Sequence, residues 1–238
     1  DEIHYVASGN SATQLAALLA GNIHVGGGGI DALEFAAEHE EITAFPRPTA
    51  NARFGYYNFR RDIWADERIR RAFHLVLNRK LIADTGLKQK TGHVPWGGPW
   101  LATGGMWEVP KDELLTWPGY RQDDTEDIAE AQRLMAAAGF PDGVKDIRVI
   151  MRGTSTMYVD LIGPMVMQQL GDALGVTGVL ESVQSALWFE LMQQGGWDIS
   201  IGSGIGTFDD PSDQWRNSFT TGAGQNYGNY SNAEFDAL

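Results

Sequence analysis

Any chemistry in this chain has to come from a small set of residues. Gly27-Gly28-Gly29-Ile30-Asp31-Ala32 fits G-x-G-x-x-A, in which glycines let a phosphate approach the backbone and a helix N-terminus faces it. A dinucleotide site also needs an acidic residue about 20 positions further on to hold the ribose. That region reads Pro46-Arg47-Pro48-Thr49-Ala50-Asn51-Ala52-Arg53 and offers none, and no Lys-Ser or Lys-Thr follows to make a P-loop. The glycines therefore read as a turn. Asp209 and Asp210 would be the acid and base of a carbohydrate-active hydrolase. Adjacent side chains point apart, however, and Asp before Pro211 is a turn opener and cap. His4, His24, His39, His74 and His93 show neither H-x-H nor H-x-x-x-H spacing, so no metal site is expected. Ser203, in "GSGIG", has no G-x-S-x-G context. No catalytic residue and no cofactor is expected.

The aromatic residues carry more information. Eight tryptophans, Trp64, Trp96, Trp100, Trp107, Trp117, Trp188, Trp197 and Trp215, exceed what a core of this size needs, and several sit beside glycine or proline. Together with Phe54, Tyr56 and Tyr57 they point to a surface or cleft that stacks on rings or packs apolar side chains. The formal charge of -13, with 18 Lys and Arg against 31 Asp and Glu, argues against nucleic acid or an anionic membrane surface as partner. The absence of cysteine excludes disulfides and thiolate chemistry. No apolar run approaches the length of a membrane span.

These residues have to be positioned by α/β elements. "IHYV", "IHV" and "EITAF" are expected as strands, and "SATQLAALLAG" and "DALEFAAEHE" as helices. "ARFGYYNF" is a further strand, and "ADERIRRAFHLVLNRKLIAD" reads as one amphipathic helix. Residues 85–120, rich in glycine, proline and tryptophan, read as an ordered loop on the surface or over a cleft. "DTEDIAEAQRLMAAAGFPDG" is a helix closed by Gly139. "IRVIMR" is a strand, "YVDLIGPMVMQQLGDALG" a helix interrupted by Pro164, and "VTGVLESV", "LWFELMQQGG" and "WDISIGSG" a strand, a helix and a strand. The order βαβαβ is expected in both halves. "SNAEFDAL" opens a helix capped by Ser231 or Asn232, and its short length suggests a chain cut there.

Five stretches resemble one family in order. "QLAALLAGNIHV" is similar to a helix-Gly-strand unit reading L-x-x-G-[ED]-[IV]-D. "GYYNFRRDIWADERIRRAFHLVLNRKLI" resembles a strand ending in Asn before a D-x-R-[VI]-R-x-A helix and a D-R pair, with Asn78-Arg79 in place of the last. "DIAEAQRLMAAAGFPDG", "LWFELMQQGGWDISIGSGIGTFDDPSDQW" and "NYGNYSNAEFDAL" resemble its later helix, its G-x-[WFY]-D strand with a D-P turn, and its N-x-x-x-[YF] segment. The family is the extracellular solute-binding proteins of family 5, the peptide and nickel branch of cargo receptors for bacterial ABC importers.

The resemblance implies an α/β, periplasmic-binding-protein-like fold (type II, cluster C) with two lobes, of which this chain holds mostly the second. Residues 1–53 would be part of the first lobe and 54–238 the second, in a protein about twice this length. It implies a periplasmic or lipid-anchored receptor that closes over a small solute and presents it to the transporter's permease subunits. Cleft positions carried over are Phe54, Tyr56 and Asn58 on the strand, Trp188 on the helix, and Gly204, Thr207 and Phe208 before the D-P turn. Gly27 and Gly28 become a side-chain-free stretch of cleft wall. Thr207 stands where peptide binders offer an aspartate to the α-amino group, which places an oligosaccharide beside a peptide as cargo. The absence of a cleft histidine disfavours nickel and haem.

Overall fold

The structure is a computed structural model and describes residues 2–6, 11–27, 31–45, 51–86, 106–153, 161–205 and 210–237. The chain divides into two compact units, Asp1–Arg47 with Leu87–Val94, and Pro48–Gly86 with Pro95–Leu238.

In the smaller unit, helix α1 (Ser11–Leu19) packs on α2 (Asp31–Glu38). Gly21, at φ 72°, closes α1 in the left-handed conformation that lacks a Cβ penalty, and the Asn22 amide returns to the Ala17 carbonyl at 2.9 Å. The expected strands "IHYV", "IHV" and "EITAF" are not strands: residues 2–6, 23–25 and 42–45 have no ladder partner among the described residues. Apolar alternation only makes a segment fit to pair, and a strand exists once a neighbour accepts its hydrogen bonds. Tyr5, Val25 and Phe45 are correspondingly 94%, 89% and 85% exposed. The βαβαβ order expected of the first half is thus not formed there.

The larger unit is built on a four-stranded sheet, in spatial order β1-β4-β2-β3, from β1 (Asn51–Tyr57), β2 (Ile147–Arg152), β3 (Gly178–Val183) and β4 (Ile199–Ile205). β2 is parallel to both β3 and β4, whereas β1 closes the edge antiparallel to β4. Because β1 runs unbroken from Asn51, residues 51–53 share a strand with 54–57 and lie in this larger unit.

Alternation along the strands separates two cores. One face carries Tyr57, Val149, Met151, Ile199 and Ile201 against α3 (Glu67–Leu75), α6 (Thr125–Ala137) and α7 (Gly163–Leu174). The other carries Tyr56, Ile150 and Val183 against Trp188, Met192 and Trp197, from α8 (Ser185–Gln194) and the turn after it. β2 is buried on both faces, as a central parallel strand must be.

The single helix expected over 65–84 is broken. α3 ends at Leu75, and α4 (Arg79–Gly86) starts afresh, because the Asn78 side chain accepts the Leu81 amide at 2.8 Å and caps the new helix. Pro164 does not interrupt α7 but sits in its first turn, where a missing N–H leaves no bond unmade. Most of the tryptophan-rich stretch lies outside the described residues. Its end forms a short helix α5 (Lys111–Leu114) that seats buried Leu114. Helix α9 (Pro211–Phe219) starts at Asp210, whose side chain accepts the Ser212 amide at 2.8 Å, and α10 (Ala233–Asp236) is capped by Asn232. Among the described residues no helix is long and apolar enough to cross a membrane.

Candidate functional site

An aromatic cluster forms on the α8 face of the sheet. Trp188 and Met192, four residues apart, share one side of α8 and face the strands. The Trp188 indole N–H donates to the Ser200 hydroxyl on β4 at 2.8 Å, which fixes the ring against the sheet. Ser200 is itself opposite Tyr56 in the β1–β4 register.

The cluster is completed by a residue that sequence reasoning missed. Tyr227 lies in the loop between α9 and α10, its ring centroid 5.8 Å from Tyr56, 5.3 Å from Trp188 and 6.2 Å from Phe189, all edge-to-face. The loop is held on the end of β1: the Phe59 amide donates to the Gly228 carbonyl at 2.8 Å, and the Arg60 guanidinium to the Tyr227 carbonyl at 3.2 Å. Gly228 comes so close to β1 that a Cβ there would stand 2.5 Å from the Tyr57 carbonyl oxygen. The glycine in "YGNY" is the only trace of this contact in the sequence, and it names no partner.

Arg152, at the end of β2, is the charged member. Its guanidinium carbon lies 4.7 Å from the Phe189 ring centroid and 5.4 Å from that of Trp188. Burial pushes the Tyr56 hydroxyl well above the usual phenol range, with the neighbouring Tyr227 adding to the rise and the charge of Arg152 opposing it. Tyr56 is therefore a neutral hydroxyl at physiological pH.

The strands that carry these side chains are locked together by Asp198, the acid of the G-x-[WFY]-D motif. It is 2% exposed. One oxygen accepts from Arg61 at 2.7 Å and from the Arg148 amide at 2.9 Å, and the other from the Trp64 indole at 3.1 Å. Its carbonyl takes the Asn58 amide at 3.0 Å. Two motifs far apart in sequence, "NFRRDIW" and "GWD", are thus two halves of one joint.

The structure places the expected cleft residues unequally. Tyr56 and Trp188 meet in the cluster, but both are buried, at 8% and 3% exposure. Phe54 lies in β1 opposite Gly202. Asn58 is 1% exposed, and its side chain is occupied, donating to the Trp197 carbonyl at 2.8 Å and accepting the Arg60 amide at 3.2 Å. It belongs to the Asp198 joint. Gly204 is in β4, paired with Ala52. Thr207, Phe208 and Asp209 lie outside the described residues, as does Gly28. Gly27 is in the smaller unit, where its N–H already donates to the Gln14 side chain at 3.2 Å. Asp210 acts as the cap of α9.

A cavity of ≈ 210 Å³ elsewhere in the larger unit is lined by Asn78, Arg79, Tyr120, Arg121 and Asp124, among others, and by no expected cleft residue. Its cations are committed. Arg79 donates to the carbonyls of His74, Leu77 and Gly119 and to the His74 ring, over the face of Tyr120. Arg121 pairs with Glu126 and buried Asp127. Burial and the Arg79 charge hold His74 down to about 4, so its ring is neutral, accepting from Arg79 and donating to the Pro118 carbonyl. This is a joint between helices.

With the geometry in hand, the chain can be compared with known proteins. It is 24% identical to the probable deoxycholate-binding periplasmic protein YgiS of Escherichia coli (strain K12) over 100% of this chain and 42% of that one. Its fold is similar to Burkholderia pseudomallei OppA, with a TM-score of 0.73 and 20% identity over 98% of this chain and 45% of that one. It is also similar to Haemophilus influenzae OppA in complex with RPPGFSPFR, with a TM-score of 0.69 and 19% identity over 96% of this chain and 44% of that one. The chain thus spans less than half the length of these relatives. The family model described as "Bacterial extracellular solute-binding proteins, family 5 Middle" matches residues 1–226, and the chain belongs to that family.

Proposed function

We propose that the intact protein is the cargo receptor of an ABC importer, and that this chain supplies the part of its cleft that holds an extended, peptide-like solute. The observation that carries the reading is an open strand edge beside an aromatic cluster. β1 pairs with β4 along its length, from Asn51 opposite Ile205 to Tyr57 opposite Ile199, whereas β2 pairs only with Ile199–Ile201. Among the described residues, the β2-side edge of 202–205 therefore lacks a strand partner. An extended peptide can add to such an edge through main-chain hydrogen bonds, with its side chains packing on the flanking rings.

The oligosaccharide alternative is weaker on this geometry. Sugar stacking needs a flat aromatic face open to solvent, and Trp188 is buried edge-to-face against Phe189 and Tyr227. The hydrolase alternative loses Asp210 to helix capping. The peptide-bound relative supports a peptide, and the deoxycholate-binding relative supports a cargo with a large apolar body.

Thermal-shift and calorimetric titration of the intact protein against di- to pentapeptides, deoxycholate and oligosaccharides tests this. Stabilisation by apolar peptides or by deoxycholate is expected. Stabilisation by oligosaccharides alone, or turnover of a glycan, overturns it.

A further inference from the structure

We infer that Arg152 is the anchor for a carboxylate on the cargo, so that the protein selects an apolar solute bearing one negative end. The inference rests on the cluster being the cargo site.

The argument starts from two arginines on one strand. Arg148 and Arg152 lie four residues apart on β2, so their side chains leave the same face of the sheet. Arg148 is satisfied: it makes a two-pronged pair with Glu181 on β3, at 3.1 and 2.7 Å, and donates to the Gly196 carbonyl at 2.7 Å. Arg152 is not. Arg148 reaches Glu181 two positions beyond its register partner Val179, and the same step beyond Val183, opposite Arg152, arrives at Ser185, which carries no charge. Among the described residues no hydrogen bond or ion pair engages its guanidinium, which lies over the rings of Trp188 and Phe189 with its charge felt by the Tyr56 hydroxyl.

A guanidinium laid over rings keeps its in-plane N–H groups free to point outward. Those groups form a fork that fits a carboxylate through two parallel hydrogen bonds. Phe189 is 38% exposed, so the rings beside the fork offer apolar surface to the body of the same ligand. Charge fork and apolar patch together describe the end of an apolar peptide with its C-terminal carboxylate, or an apolar carboxylic acid that is not a peptide.

The test titrates the intact protein and its Arg152→Gln and Arg152→Lys variants by calorimetry. The probes are an apolar tripeptide as free acid and as C-terminal amide, and a non-peptide apolar carboxylate with its methyl ester. Among the described residues the Arg152 side chain makes no hydrogen bond, so the variants are expected to fold, with unfolding midpoints near that of the parent. The parent is expected to prefer acid over amide, or acid over ester, by about tenfold or more, the scale of a hydrogen bond to a charged group. Arg152→Gln is expected to abolish the preference, and Arg152→Lys to retain part of it. Preference in the peptide pair alone or in the non-peptide pair alone identifies the source of the carboxylate. Equal binding of acid and neutral forms by the parent, or a preference that survives Arg152→Gln, overturns the anchor and leaves solute capture standing. Failure of every probe to bind the parent overturns both.

Discussion

Replacing Asp198 by Ala removes the acceptor on which the strands of the larger unit converge. The carboxylate is 2% exposed and takes three donors: the Arg61 guanidinium, the Arg148 amide and the Trp64 indole. Truncation leaves the last two buried without a partner, at about 1–3 kcal/mol each. The Arg61 side chain is 52% exposed, so water recovers much of its pairing, and it contributes about 1 kcal/mol or less. Asp198→Ala should therefore cost about 4 kcal/mol. Asp198→Asn should cost about 2 kcal/mol, because its oxygen can still serve the two donors that share one carboxylate oxygen while its NH2 meets the Trp64 N–H donor to donor. Urea unfolding followed by tryptophan emission measures both values, and a double cycle with Trp64→Phe isolates the indole bond. A loss below about 1 kcal/mol for Asp198→Ala would refute the claim that this residue joins the strands.

Ser200→Ala leaves the buried Trp188 indole N–H without an acceptor, and a loss of about 1–3 kcal/mol is expected in the same urea experiment; an unchanged midpoint would mean that packing alone fixes the ring. Gly228→Ala should push the loop off β1, since the new Cβ would sit 2.5 Å from the Tyr57 carbonyl, and should weaken solute binding by displacing Tyr227; unchanged affinity would exclude Tyr227 from the site. His74 has its folded pKa depressed from 6.5 to about 4. Between those values the unfolded chain binds the extra proton, so this contribution is complete above pH 6.5 and is lost as pH falls towards 4. The melting temperature of the parent, compared with His74→Gln across that window, should fall more steeply with acid; parallel curves would contradict it.

Elements with a strong short-range pattern and clear end signals were legible in the sequence. The helix over 125–137 and the strands "IRVIMR" and "VTGVLESV" appear where hydrophobic period and end signals put them. The elements that differ do so because something non-local or a single side chain intervened. Asn78 splits a continuous amphipathic pattern by capping from inside it. The alternating segments of the smaller unit remain unpaired because alternation specifies a face and does not supply a neighbour. Of the residues in the aromatic cluster, motif resemblance names Trp188 and Tyr56 and does not name Tyr227 or Arg152. A tyrosine in a turn and an arginine ending a strand carry no periodic signal of what they touch.

By itself, the sequence carried the motifs that resemble the family, and its composition and short-range pattern determined the α/β character, the exclusion of disulfide and thiolate chemistry, and the segments able to become helices or strands. Only the tertiary structure decided which of the motif residues are consumed by internal hydrogen bonds. Asn58 and Asp198 turned out to be consumed by internal hydrogen bonds. Arg152, two strand positions from the fully buried Ile150, has rings beside it and, among the described residues, no acid paired with it. Partnership across 137 residues, as between Arg61 and Asp198, depends on sheet order and register. Those arise from the packing of the whole chain, so a linear reading has no access to them.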